Sequence, residues 1–165
     1  MNIFYLSKDP KQCAEMHCDK HTVKMILEYA QMLSTAHRVL DGDNLSHPNT
    51  LLYKATHKNH PSNVWVREYS ENYIYTRDLF IELSKVYTKR YHKIHKSYSK
   101  LVDSLYEIPK AIMIGSSVVP QCMPDEYKRS DPIEAYRAYY QGDKAEFATY
   151  KFSETPEFMK GFVCK

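Results

Sequence analysis

The sequence predicts a mainly α fold: a single compact helical domain over residues 1–165, with at most a short N-terminal strand or extended segment. Three observations predict it. Apolar residues recur at spacings of three and four through three long segments. Aspartate–proline pairs, Asp9-Pro10 and Asp131-Pro132, have the form of helix starts, with the aspartate as cap and the proline in the first turn. Alternating strand-like runs are few, so no sheet of more than two short strands is expected.

In chain order, "NIFYL" (Asn2 to Leu6) is a short strand or extended segment. From about Lys11 to Leu40 the pattern is helical, with Met25, Ile26, Tyr29, Met32, Leu33, Ala36 and Val39 on its apolar side. A kink would let a second helix begin at Asp19. "DGDNLSHPN" (Asp41 to Asn49) is a loop by its turn residues. "THKNHPS" introduces a second long helix, with Pro61 in its first turn and Trp65, Tyr69, Asn72, Leu79, Leu83 and Val86 on one broad face. A third helix covers His95 to Tyr106. Glu107 to Arg129 is loop-like, punctuated by Pro109, Gly115, Pro120 and Pro124. The last helix starts at Pro132, with Glu134 placed for a capping box, and carries Tyr136, Tyr139, Tyr140 and Phe147. The tail from Ser153 is irregular.

Composition narrows the function classes. With 43% hydrophobic residues the chain can build a core and is unlike a disordered segment. It has no apolar run of eighteen residues for a membrane span, and its start lacks a secretory pattern, so the expected setting is the cytoplasm. Four cysteines at irregular spacing do not form a disulfide framework. A net charge of +3 permits a nucleic-acid partner without requiring one. The 15 tyrosines are read chiefly as core residues with polar tips, and secondarily as stacking surfaces.

The most chemically loaded stretch is "HCDKHTVKMILE", residues 17–28. On an ideal helix His17, His21, Lys24 and Glu28 share one stripe, flanked by Val23, Met25, Ile26 and Leu27. The bland reading is a set of spaced charges in i,i+3 and i,i+4 contact. A zinc reading would recruit Cys13, His17, Cys18 and His21, with His57 and His60. That spacing lacks the two close ligand pairs of a structural site, so no metal is expected. The catalytic reading makes Glu28 a general acid or base, with His21 and Lys24 in support. An amine beside a carboxylate is the equipment of Schiff-base chemistry. The α-amine of Met1 is a second candidate, because an α-amino group has an intrinsic pKa near 8, lower than that of lysine. Arg67, Arg77, Lys89, Arg90, Lys93 and Lys96 are candidate phosphate contacts, and "TKRYHKIHK" is the most basic window. Trp65, Tyr69, Tyr136 and Tyr140 are candidate stacking rings, although Trp65 and Tyr136 fit a core as well.

Two resemblances attach to these residues. The segments "CAEMHCDKHTVKMILEYAQMLSTAHRVLDG", "LYKATHKNHPSNVWVRE", "YTKRYHKIHKS" and "DPIEAYRAYYQGDK" resemble a group of small phage proteins, which implies a phage origin and an infected host cell. Asp19-x-His21-x6-Glu28 is similar to the first-helix signature of the pyrimidine-dimer DNA glycosylase (endonuclease V) family of tailed phages. His60, ahead of a long helix, matches a functional histidine there, and "YRAYY" echoes an aromatic C-terminal region. The resemblance implies a small, all-α, cofactor-free enzyme acting on DNA. In it an N-terminal amine attacks the sugar carbon, and the glutamate assists glycosylic cleavage and a later lyase step. The chain departs from the family in three places. Asn2 stands where a threonine would be exposed by methionine removal, so the amine would be that of Met1. Leu27 and Gln31 replace arginines that hold DNA phosphates in the family.

The expected function is thus a base-excising DNA N-glycosylase with AP-lyase activity. Its catalytic set is Glu28, His21, Met1, Lys24 and His60. Its nucleic-acid contacts are Arg67, Arg90, Lys93, Lys96, Trp65 and Tyr140, and it uses no cofactor. From another class comes a non-enzymatic phage protein that binds a host factor or a nucleotide. A third reading is an enzyme on free or modified nucleotides. Convergence of Glu28, His21 and the N-terminal amine in one cleft would favour the enzyme.

Overall fold

The computed structural model describes residues 1–42 and 51–163. Among these, six α-helices are formed: α1 Pro10–Met16, α2 Asp19–Asp41, α3 Pro61–Glu68, α4 Ser70–Tyr91, α5 Lys96–Tyr106 and α6 Pro132–Tyr139. The fold is mainly α, as the periodicity predicts. Residues 43–49 of the expected loop, and Cys164, lie outside the described residues.

Helix starts follow local chemistry. Asp9 Oδ1 accepts from Lys11 N at 2.9 Å, and Asp131 Oδ1 accepts from Ile133 N at 2.9 Å. Histidines cap two other helices. His60 Nδ1 accepts from Ser62 N, and His95 Nδ1 accepts from Ser97 N, both at 3.1 Å. Each cap satisfies a donor that has no partner within its helix.

The expected Lys11–Leu40 helix breaks at His17 and Cys18, which are extended. Arg90, reaching over from α4, explains where the break falls. Its guanidinium donates to the carbonyls of Glu15 (3.1 Å) and His17 (2.9 Å), freed at the end of α1, and to Thr22 Oγ1 (2.9 Å). It also pairs with Asp19 at 3.2 Å. The second expected long helix is divided as well. Tyr69 is extended and bridges Met113. The loop carbonyls of Met113 and Gly115 accept from Ser70 N (2.8 Å) and Glu71 N (3.0 Å), so a distant loop caps α4.

The N-terminal segment forms no strand. Ile3, Phe4 and Leu6 are buried instead, so the chain threads into the core before α1 begins. Helix α2 is the central element and packs against α3, α4 and α5. Tyr29, Tyr73, Tyr136 and Tyr140 are fully buried, and each hydroxyl has a hydrogen-bond partner. These tyrosines fill the core in the way their amphipathic rings allow.

Candidate active site

Residues 1 and 2 are pinned from several directions. Asn63 Nδ2 donates to the Met1 thioether at 2.9 Å. Asn2 Nδ2 donates to Cys122 O at 2.8 Å, and Asn2 Oδ1 accepts from the Tyr136 hydroxyl at 2.9 Å. With both side chains held, the Met1 α-amine lies 3.8 Å from Glu28 Oε2. The other carboxylate oxygen lies 3.4 Å from Lys24 Nζ. The Glu28 side chain is only 14% exposed, so this carboxylate is largely shielded from water and shared by two cations.

These groups line a cavity of about 310 Å³ at the surface of α2. His21 and His60 line it too, as do Lys20, Lys144, Cys122 and the rings of Phe4, Tyr139 and Phe147. Lys20, Lys24 and Glu28 are spaced four apart on α2, so one face of the helix supplies the cavity's central row.

The surroundings of both histidines favour the neutral ring. Burial pushes the His21 pKa far below its ordinary value, and His17, Lys144, Lys24 and Lys20 push it the same way. Its Nδ1 bonds the Tyr140 hydroxyl at 2.6 Å, and its ring stacks on Phe4 at 4.2 Å. The pKa of His60 is lowered first by burial, then by the Met1 amine and His57, while Glu28 raises it. Because His60 Nδ1 accepts from Ser62, the proton of its neutral ring sits on Nε2, which makes that atom a donor.

Met1, His21, Lys24, Glu28 and His60, the five residues expected to be catalytic, therefore meet in one place. His17 does not join them. Its Nδ1 donates to Cys13 O and its Nε2 accepts from the Tyr29 hydroxyl, both at 2.7 Å, as a satisfied core histidine. The expected apolar flanks are only partly buried: Met25 and Ile26 face inward, while Val23 and Leu27 are 44% and 40% exposed.

The expected nucleic-acid contacts divide differently. Arg90 is buried and bonded to α1, α2 and Asp19, because it closes the helix break. Trp65 is buried with its indole N–H on Ser117 O at 3.0 Å. Tyr140 is buried beneath His21. None of these three presents a free surface to a nucleic acid. Arg67 is half-buried and donates to Lys58 O at 2.7 Å. Lys93 and Lys96 are exposed.

Sequence reasoning missed Lys20, Lys144, Phe147, Tyr139 and Phe4. The four-residue spacing of Lys20 from Lys24 was available as a signal. Nothing local marks Lys144 or Phe147, which arrive from the far end of the chain. Among the described residues no group of three or more His, Cys, Asp or Glu side chains is arranged to hold a metal ion. No described helix is long and apolar enough to cross a membrane.

The chain matches no family model, and the comparisons with curated proteins and with solved structures returned no match.

Proposed function

We propose that this chain is a DNA N-glycosylase with an attached abasic-site lyase step, working through the α-amine of Met1. The observation that carries the reading is the meeting of that amine with Glu28, at 3.8 Å, inside a cavity that also holds His21 and His60. A nucleophile within reach of a shielded carboxylate is the arrangement that amine catalysis on a sugar carbon requires.

In this reading Glu28 takes a proton from the Met1 ammonium, and the freed α-amine attacks C1′ of an extruded nucleotide. The C1′–N bond to the base breaks, its electron pair leaves with the base, and the base takes up the proton held by Glu28. The sugar ring opens as O4′ takes a proton from the attached amine, which leaves a protonated imine between C1′ and that nitrogen. Glu28 then accepts the C2′ proton, the C3′–O bond breaks, and the 3′ phosphate leaves with that electron pair. Water hydrolyses the imine and restores the amine. His60 Nε2–H serves as a hydrogen-bond donor to a sugar oxygen. Neutral His21 adds no positive charge beside the attacking amine.

In the non-enzymatic reading the same stripe is structural: Glu28 is then only an ion-pair partner of Lys24 and the Met1 amine, and tyrosine-rich surface makes the contact with a host factor or nucleotide.

Borohydride trapping on duplex DNA containing an abasic site tests the proposal. The expected result is a covalent protein–DNA adduct that peptide mapping assigns to Met1. Glu28→Gln keeps the side chain's size and should lower strand cleavage by at least about a hundredfold while leaving the protein folded. No adduct with abasic or damaged-base duplexes would end this reading. An adduct on a lysine would move the nucleophile away from Met1.

A further inference from the structure

We propose that Lys144 and Lys20 form a phosphate subsite in this cavity, so that the amine reacts selectively with a sugar that carries a phosphate ester. The proposal deepens the amine reading above and rests on it for the reacting group. The phosphate subsite itself rests on separate observations.

The first is an imbalance of charge. The cavity wall carries Lys20, Lys24, Lys144 and the Met1 amine against one carboxylate, Glu28. Lys24 and the amine share that carboxylate. Among the described residues neither Lys20 nor Lys144 has a carboxylate within ion-pair distance. Their contacts are with aromatic faces instead. Lys20 Nζ lies 4.3 Å from the centre of the Phe147 ring. Lys144 Nζ lies 4.5 Å from that of Tyr139 and 5.9 Å from that of Phe147. Both ammonium groups thus border one ring. A ring face attracts a cation but cannot accept its three N–H bonds as an anion does.

The second observation is the backbone that carries Lys144. Residues Tyr140–Lys144 form a π-helical turn directly after α6. Such turns are rare and concentrate at functional sites. This one turns Tyr140 inward to His21 and presents Lys144 to the cavity. The adjacent carboxylate, Asp143, is drawn off by the Tyr127 hydroxyl at 2.8 Å and leaves Lys144 unneutralised. Lys144, Lys24 and Lys20 all act on the buried ring of His21, as expected if they look into a common space.

Crowded like charges in a half-closed site are costly unless an anion joins them. A phosphate ester supplies one, accepts hydrogen bonds from both ammonium groups, and leaves its sugar toward the amine. The phosphate can come from a DNA backbone or from a free nucleotide or sugar phosphate, and the chemistry of the site is common to both.

The test is reductive labelling of the full chain by borohydride with 2-deoxyribose 5-phosphate and, separately, with 2-deoxyribose at equal concentration, read by intact mass. In each reaction the amine condenses with the C1 aldehyde, water leaves, and borohydride reduces the imine to a secondary amine. The phosphorylated sugar should label about tenfold more efficiently, the scale of one charge-assisted hydrogen bond. In Lys144→Gln, and further in Lys20→Gln/Lys144→Gln, the ratio should fall towards one. Equal labelling by the two sugars in the wild type, or a ratio that survives the double change, overturns the subsite. If neither sugar labels the protein, inorganic phosphate becomes the probe of the subsite, and trapping on abasic duplex DNA alone decides the amine reading. Binding of phosphate that is lost in the double variant supports the subsite, and no binding by the wild type overturns it. Trapping on abasic duplex DNA identifies the source. A matching loss in Lys144→Gln supports a backbone phosphate in the subsite. Loss on the free sugar phosphate alone supports the subsite with a free sugar phosphate as its occupant.

Discussion

His17 and His21 are four residues apart, and both lie inside the protein. Burial lowers the pKa of His17 to about 4; its bond to Cys13 raises it in part and the charge of Arg90 lowers it further. The unfolded value is near 6.5. Between those values the unfolded chain binds a proton that the folded chain refuses. This contribution is complete above about pH 6.5 and is lost as the pH falls towards 4. His21 acts in the same direction over the same range. Each ring should remove up to about 1.4 kcal/mol of stability per pH unit across that window. Urea unfolding followed at pH 7 and pH 5 measures the loss. A level stability across that interval would contradict two neutral interior imidazoles. Arg90 makes a second case at this scale. Arg90→Ala removes the buried cation paired with Asp19 and a donor to two carbonyls at the helix break, so it should cost roughly 3–5 kcal/mol. A surface phosphate contact would instead weaken DNA binding at unchanged melting temperature, so the two roles separate in one pair of measurements.

The elements that carry the cavity are held by contacts from distant parts of the chain. α2 begins where Asp19 N donates to Thr149 O at 2.9 Å, and where Asp19 Oδ2 accepts from Lys151 N at 2.8 Å. In the π turn the Tyr127 ring lies against Gly142. A Cβ at Gly142 would collide with the Tyr127 hydroxyl and its ring carbons. That is the outer end of a half-exposed side chain, so we expect the ring to swing aside and the turn to survive. Gly142→Ala should therefore change stability little, because the lost Tyr127–Asp143 bond, about 1 kcal/mol, is offset by the roughly 0.5–1 kcal/mol that alanine gains over glycine in a helical conformation. The released Asp143 is then free to neutralise Lys144. We expect an almost unchanged melting curve together with a clear fall in the preference for the phosphorylated sugar. A large drop in melting temperature would show that Tyr127 cannot move.

Across the molecule, Lys93, just after α4, and Lys96, the first residue of α5, are exposed where Arg90 is buried. This region is joined to the cavity side. Burial lowers the pKa of His95, and the backbone of Val23, on the same helix whose Lys20 and Lys24 line the cavity, raises it in part. If DNA crosses this face, each phosphate neutralised releases a counterion and steepens the salt dependence by about 0.9. The double change Lys93→Ala/Lys96→Ala should then reduce the slope of log K against log salt by about 1.8 and leave the fold intact. An unchanged slope would take this turn out of the interface.

The sequence by itself determined what depends on neighbours along the chain. A helical face repeats every three or four residues, and a cap reaches two residues ahead. The helical class, the Asp9 and Asp131 starts, the helix ending at Tyr106 and the placing of His21, Lys24 and Glu28 on one helix followed from those short ranges. What only the tertiary structure decided lies at long separation. The break at Cys18 is stabilised by Arg90, the division at Tyr69 by the carbonyls of Met113 and Gly115, and the interior fate of Trp65 and Tyr140 by the partners of their polar tips. The cavity gathers Met1, Glu28, His60 and Lys144 from four separate stretches. No periodic pattern links those positions. Packing of the buried Ile3-Phe4 segment and of the turn after α6 against one face of α2 brings them together, and that packing is a property of the assembled core.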